Sequence, residues 1–207
     1  MNYNLSGLFD ENPLSTDKRL WEEFRLGDRA SYQKLYSLYL TDLYNYGYKI
    51  IPNRAVVTDQ IQDLFIDLWK YKEGLSEVKS IKSYLYRSLR NRIIKEVSQN
   101  KYIFSDMEAT YANSQVVLPF ENKIIESQTQ SETIKKLDKA FIALSKRQRE
   151  VINLLFYEKL SYEEVADIMS INLRSVYTLA WKALSVLRKE LTCLIFAVFV
   201  YLLFNEY

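Results

Sequence analysis

The stretch that decides the fold is Ser145-Lys-Arg-Gln-Arg-Glu-Val-Ile-Asn-Leu-Leu-Phe, followed by Leu160-Ser-Tyr-Glu-Glu-Val-Ala-Asp-Ile-Met-Ser-Ile-Asn-Leu-Arg-Ser-Val-Tyr. Ser161 with Glu164 three residues on is a capping box, which opens a short helix. Val165, Met169, Ile171, Val176 and Leu179 are apolar where two crossed helices must face each other, and Ala166 is small where they approach most closely. Ser170 occupies the turn, where the chain tends toward positive φ and glycine would be less strained by about 1 kcal/mol. Asn172 is a good N-cap for a second helix running from Leu173 toward Glu190, with Val176, Leu179, Ala183, Leu184 and Leu187 on one face. This is a helix-turn-helix pattern, in which one helix braces another that enters the DNA major groove.

Outward from that stretch the chain stays helical. Its 207 residues include only 4 Gly and 3 Pro, and no run alternates apolar and polar residues for long. The expected class is therefore all-α, without a sheet. Residues 1–18 read as a loose polar arm, with no positive start and apolar stretch of a signal peptide. Residues 19–100 read as one helical domain. In it, Asp28 caps a helix bearing Tyr32, Leu35, Tyr36, Tyr39 and Leu43, and Pro52-Asn53 breaks the chain. A second helix, about 57–71, turns Ile61, Leu64, Phe65 and Leu68 inward. A third, about 80–99, carries Ile81, Leu85, Leu89 and Ile93 at four-residue steps. Residues 101–131, rich in Asn, Ser, Gln and Thr, read as a polar linker. Residues 132–190 form a second helical domain.

The net charge is only +2, but the charges segregate. Residues 79–101 hold Lys79, Lys82, Arg87, Arg90, Arg92, Lys95 and Lys101 against the single acid Glu96, the kind of local footprint that nucleic-acid binding leaves. Aromatic residues interleave with these cations. Tyr84, Arg87 and Asn91 fall on one side of the helix, and Lys82, Tyr86 and Arg90 on an adjacent side. Tyrosine faces for base stacking, with cations for phosphates, are what holding a single strand requires. The same pattern also fits a solvated basic face.

Catalysis is not expected. There is no His, no glycine-rich phosphate loop and no nucleophile elbow, and neither a cofactor nor a metal site is anticipated. The lone Cys193 suits a reducing cytoplasm. Leu194 to Phe204 is an unbroken apolar run of eleven residues. As a helix it would extend about 17 Å, short of a hydrocarbon core of about 30 Å. Packing within the chain or against a partner is the favoured reading for this tail, residues 191–207. Contact with a membrane surface would arise only there.

Three stretches together resemble the extracytoplasmic-function group of the sigma-70 family of bacterial RNA polymerase. Gly27-Asp-Arg-Ala-Ser-Tyr-Gln-Lys-Leu-Tyr looks like the start of sigma region 2. Asp59-Gln-Ile-Gln-Asp-Leu-Phe-Ile-Asp-Leu-Trp looks like region 2.2, and Ser83-Tyr-Leu-Tyr-Arg with Arg90-Asn looks like the DNA-opening segment downstream of it. Arg147-Gln-Arg-Glu with Leu160-Ser-Tyr-Glu-Glu-Val-Ala looks like region 4. Together they cover about residues 20–190.

The resemblance implies a dissociable subunit that binds core polymerase, recognises −35 and −10 promoter elements and helps to melt the −10 DNA. Gln62, Asp63, Asp67 and Trp69 would meet the β′ clamp helices. The loop 74–79 would choose a −10 base, with Lys82, Tyr84, Tyr86, Arg87, Arg90, Asn91 and Arg92 holding the −10 DNA. Arg147, Arg174, Ser175, Tyr177, Thr178 and Lys182 would meet the −35 element, and the second domain would touch the β flap. An anti-sigma factor would be the controlling partner, and no small-molecule substrate is implied. The recognition helix departs from the family's basic pattern at Tyr177, Leu179 and Trp181, and Ser145 stands where Pro is frequent. Without the resemblance, the residues leave two other readings. One is a helix-turn-helix regulator of duplex DNA acting without polymerase, and the other a protein-binding adaptor at a membrane.

Overall fold

The computed structural model describes residues 13–99 and 139–190. The linker expected at 101–131 and the apolar tail at 191–207 lie outside those residues. So does the start of the arm. Among the described residues there is no strand, and no helix is long and apolar enough to cross a membrane. The chain divides into two compact units, one running to Ile93 apart from Lys49–Pro52, the other carrying the C-terminal helices.

The first unit begins with α1 (Pro13–Arg25), which starts inside the stretch 1–18 read from sequence as a loose arm and runs on into the first helical domain. Its Leu20, Trp21 and Phe24 are buried, and these three apolar residues are what fix the helix to the unit. Gly27, at φ 91°, ends it, with the Gly27 amide donating to Phe24 O and the Asp28 amide to Glu23 O. A left-handed residue just past a helix end, best supplied by glycine, satisfies the orphan carbonyls in this way. Asp28 then caps α2 (Arg29–Ile50) by accepting from the Ser31 amide at 2.7 Å. Hydrogen bonds from Ser31 hold the Asp28 carboxyl below its ordinary range.

Asn53 does more than break the chain. Its side chain accepts from the Val56 amide, so α3 (Arg54–Tyr71) starts earlier than the apolar pattern alone indicates. A single 3-10 turn, Lys72–Gly74, leads into a loop, and Ser80 caps α4 (Ile81–Gln99) by accepting from the Ser83 amide. Leu35, Leu43, Val57, Ile61, Leu64, Phe65, Leu68, Ile81, Leu85, Leu89 and Ile93 form the core between α2, α3 and α4. Gly47 marks the tightest approach. A β-carbon there would sit 2.8 Å from Val57 Cγ1 and 3.2 Å from Ile93 Cδ1, so only glycine admits this packing without a shift.

In the second unit, Ser145 opens α5 (Lys146–Ile152) with a reciprocal capping box to Gln148. The helix then widens into a π-turn, Asn153–Tyr157, in which the Glu158 amide reaches back five residues to Asn153 O at 2.9 Å. Lys159, at φ 54°, redirects the chain. The expected box between Ser161 and Glu164 is present at the head of α6 (Tyr162–Met169). Ser170 adopts φ 53°, ψ 46°, the left-handed turn that the sequence implied. Asn172 accepts from the Ser175 amide at 2.8 Å and starts α7 (Leu173–Glu190). Val165, Ile168, Met169, Val176 and Ala180 are buried at the crossing of α6 and α7. Ala140, Leu144, Ile152, Ala183 and Leu187 form the adjoining core, flanked by Phe141, Phe156, Leu184 and Val186. Ile171 and Leu179 are only half-buried.

Candidate nucleic-acid interface

On α3, the residues opposite the core are Gln62, Asp63 and Ile66, all exposed. Ile66, 59% exposed, is a residue the sequence reading passed over. The signal was a lone apolar side chain on the polar face of a helix, one turn from Gln62 and Asp63. Asp67 differs from Asp63. Its Oδ2 accepts from Arg92 Nη2 of α4 at 2.6 Å, so two candidates assigned to different tasks neutralise each other. Trp69 is half-buried. The Tyr32 ring packs on it at 5.0 Å, and Lys72 Nζ lies 4.5 Å above its ring.

On α4 the two sides read from sequence have different fates. Arg87 and Asn91 are exposed on one side, with Tyr84 half-buried beside them. The other side turns inward. Tyr86 is fully buried and stacks on Tyr46 at 4.7 Å and 26°. Arg90 is 9% exposed. Lys82 is half-buried, its ammonium 5.5 Å from the Tyr86 ring. Tyr86 and Arg90 were expected among the DNA-facing residues. In this fold the Tyr86 ring is core packing and the Arg90 side chain is largely enclosed, which removes both from the outer surface. The cause is geometric. The buried arc of α4 takes in Tyr86 and Arg90 and is wider than the single stripe at Ile81, Leu85, Leu89 and Ile93.

The loop between the 3-10 turn and α4 is anchored from α1. The Trp21 indole N–H donates to Ser76 O at 3.0 Å, and Lys18 pairs with Glu77, whose carboxyl that contact holds below its ordinary range. The Trp21 ring, 1% exposed, meets Tyr84 edge-on at 5.3 Å. Sequence reasoning kept Trp21 within the first helical domain but gave it no role, because no helix was assigned before Asp28.

In the second unit, Arg147 is exposed in the first turn of α5, and Arg174, Tyr177, Thr178 and Lys182 are exposed on α7. Ser175 is half-buried. Thr178 Oγ1 donates to Arg174 O at 2.8 Å. Tyr177 stacks on Tyr162 of α6 at 4.3 Å and 16°, nearly parallel. Leu173 and Trp181 are also exposed, one turn to either side of Tyr177. The exposed face of α7 thus holds polar, cationic and aromatic groups together on a helix seated by an apolar crossing.

Comparison with known proteins decides what these two units are. The sigma-70 region 2 model matches residues 35–102, and the sigma-70 region 4 model matches residues 134–186, more than half of the chain between them. The chain belongs to the sigma-70 family, in its extracytoplasmic-function group. It is 26% identical over 168 residues to the RNA polymerase sigma factor YlaC of Bacillus subtilis (strain 168), covering 79% of this chain and 94% of that protein. It is 20% identical over 180 residues to the ECF RNA polymerase sigma factor SigW of the same organism, covering 84% and 96%.

Two solved structures share the fold. One is CnrH in complex with the cytosolic domain of CnrY, at TM-score 0.55 and 16% identity, covering 83% of this chain and 94% of that one. The other is the sigma factor RpoE in complex with the anti-sigma factor NepR from Bartonella quintana, at TM-score 0.57 and 20% identity, covering 76% and 94%. As a sigma factor, the chain is a regulatory component of transcription initiation and not by itself an enzyme.

Proposed function

We propose that this sigma factor docks on core RNA polymerase through α3, opens the −10 element with the loop after α3 and the outer face of α4, and reads the −35 element as duplex with α7. The observation that carries this reading is the division of exposed chemistry between the two units. The first presents Gln62, Asp63 and Ile66 on one helix and Tyr84, Arg87 and Asn91 on another. The second presents a capped helix-turn-helix whose α7 exposes Arg174, Tyr177, Thr178 and Lys182.

Docking is assigned to Gln62, Asp63 and Ile66, with Asp67 and Trp69 at the margin of the contact, on the β′ clamp helices. Strand opening costs a few kcal/mol for each unstacked step, and stacking together with phosphate neutralisation must offset it. Tyr84 supplies the aromatic edge, while Arg87, Asn91 and Lys82 supply the polar contacts. Arg92 contributes its charge only in competition with Asp67. On the −35 side, Arg147, Arg174 and Lys182 neutralise phosphates, while Tyr177, Thr178 and Ser175 lie toward the groove. The second unit also touches the β flap. Control comes from an anti-sigma factor, as the bound partner of RpoE in its solved complex suggests for this chain. The residues 19–100 and 132–190 act as the two functional domains, the first taking in α1 as well, with residues 101–131 as the connection. The place of action is the cytoplasm, where the polymerase is.

Transcription in vitro with core RNA polymerase, with and without the protein, on a pool of promoter fragments tests the whole reading. Transcripts that start only in its presence are the expected result, and they define both promoter elements. Tight binding to duplex DNA without any association with core polymerase would refute it and favour a conventional helix-turn-helix regulator.

A further inference from the structure

The exposed face of α7 has a composition that a phosphate-binding helix does not need. Leu173, Tyr177 and Trp181, at successive four-residue steps, are 37%, 50% and 69% exposed. They are not an extension of the core, because the inward residues Val176, Ala180, Ala183 and Leu187 are buried along a different line of the same helix. The three side chains cover about 12 Å of helix axis, comparable with the rise of three to four base pairs. Tyr177 is also held in place. Its ring lies against Tyr162 at 4.3 Å and 16°, so its orientation is set before any ligand arrives.

We propose that α7 discriminates among duplex sequences chiefly by packing the carbon surfaces of Leu173, Tyr177 and Trp181 on thymine methyl groups in the major groove. This rests on the reading of α7 as the −35 contact, and it names the chemistry by which that contact chooses its sequence. Thymine is the base that presents a methyl group in the groove, and apolar side chains are its natural readers. The hydrogen-bonding alternatives on this face are few. Arg174 is the one cation in the first two turns of α7, and the Thr178 hydroxyl proton is committed to Arg174 O. Charge favours DNA over a protein as the occupant. From Leu173 to Glu190 the helix carries Arg174, Lys182, Arg188 and Lys189, against one acid, Glu190, at its far end. Glu163 and Asp167 are exposed on neighbouring α6, which braces the reading helix.

The test uses the full chain on core polymerase and a promoter that it transcribes. Thymines of the −35 element are replaced one at a time by deoxyuridine, which pairs identically and lacks only the methyl group. Binding of the wild type should fall about fourfold at each contacted position. Tyr177→Ala and Trp181→Ala should bind the thymine fragment more weakly and should no longer distinguish it from the deoxyuridine fragment. Arg174→Ala should keep the distinction while its salt dependence becomes shallower by about 0.9 in the log–log slope. Circular dichroism checks that each variant keeps its helix content.

Equal binding of thymine and deoxyuridine fragments by the wild type would overturn the proposal, as would a −35 element without thymine in either strand. Loss of core polymerase binding in Trp181→Ala, with no methyl sensitivity in the wild type, would instead make the stripe a protein-docking face. If the complex transcribes but its −35 sequence has no influence at all, the −35 reading fails and this proposal falls with it. That result differs from specific binding indifferent to the methyl group.

Discussion

The indole nitrogen of Trp21, in α1, donates to the main-chain carbonyl of Ser76, 55 positions later in the chain. A helix outside the α2–α4 core therefore holds the loop that precedes α4. Trp21→Phe keeps a large ring in the buried site and removes only the N–H. It should lower stability by about 1 kcal/mol, with a further cost for the smaller ring. Trp21→Ala should cost about 3–5 kcal/mol. Denaturant unfolding checks both, and equal losses in the two variants would show that the hydrogen bond contributes nothing separable from the ring.

Tyr86 and Arg87 are sequence neighbours with opposite surroundings. Tyr86→Ala empties a fully buried aromatic site and should cost about 3–5 kcal/mol. Arg87→Ala, on the exposed side, should change stability by less than about 0.5 kcal/mol yet slow open-complex formation. Thermal unfolding combined with permanganate footprinting of melted promoter DNA separates the two effects. A stable Tyr86→Ala protein defective only in opening would return Tyr86 to the DNA surface.

Asp63 and Asp67 are one turn apart on α3 and should contribute unequally to docking. Asp67 is already paired with Arg92 at 2.6 Å, whereas Asp63 faces solvent. Asp63→Ala should weaken the affinity for core polymerase several-fold more than Asp67→Ala does. Since both partners of the pair are partly exposed, Asp67→Ala should cost at most about 1 kcal/mol of stability. Competition binding to core polymerase ranks the variants, and equal effects would show that the ion pair opens on docking.

Ser170 is held at φ 53° between α6 and α7. Ser170→Gly should stabilise the second unit by up to about 1 kcal/mol, because glycine enters the left-handed region without a β-carbon penalty. A higher midpoint in thermal unfolding is the expected result.

Gly47→Ala sets two effects against each other. Alanine gains at most about 1 kcal/mol of helix propensity at Gly47, in the last turn of α2. Its methyl group would lie 2.8 Å from Val57 Cγ1, and overpacking of that kind costs about 1–3 kcal/mol. Net destabilisation is expected by denaturant unfolding. A stabilised variant would mean that α2 and α3 can separate slightly without loss.

Where α2, α4, α6 and α7 start, and which residues line α3, was legible in the chain, because caps and four-residue steps are local. The Ser161–Glu164 box, the Asn172 cap and the left-handed Ser170 are set by neighbours within a few positions. So are Ile61, Leu64, Phe65 and Leu68 along α3. The rest depends on partners distant in sequence. Whether Tyr86 faces solvent is decided by Tyr46, 40 positions earlier, and the environment of Asp67 is decided by Arg92. Tyrosine and arginine are amphipathic and fit either environment, so residue type gave no warning. α1 escaped because the buried residues described on it, Leu20, Trp21 and Phe24, are too few to establish a period.

The π-turn at Asn153–Tyr157 gives the second unit a phase adjustment. An α-helical turn closes over four residues and this one closes over five, so the end of the helix, where it hands the chain on to α6, is rotated by about one residue, roughly 100°, relative to an uninterrupted helix. Val151 and Ile152 before the turn and Leu154 and Leu155 within it all point into the protein, more inward positions than a regular helical stripe of that length supplies. The aim of Ser161, and through α6 of α7, is therefore set by residue count as well as by residue type. A single deletion between Asn153 and Tyr157 would leave every side chain of α6 and α7 chemically unaltered and turn the whole helix-turn-helix out of register.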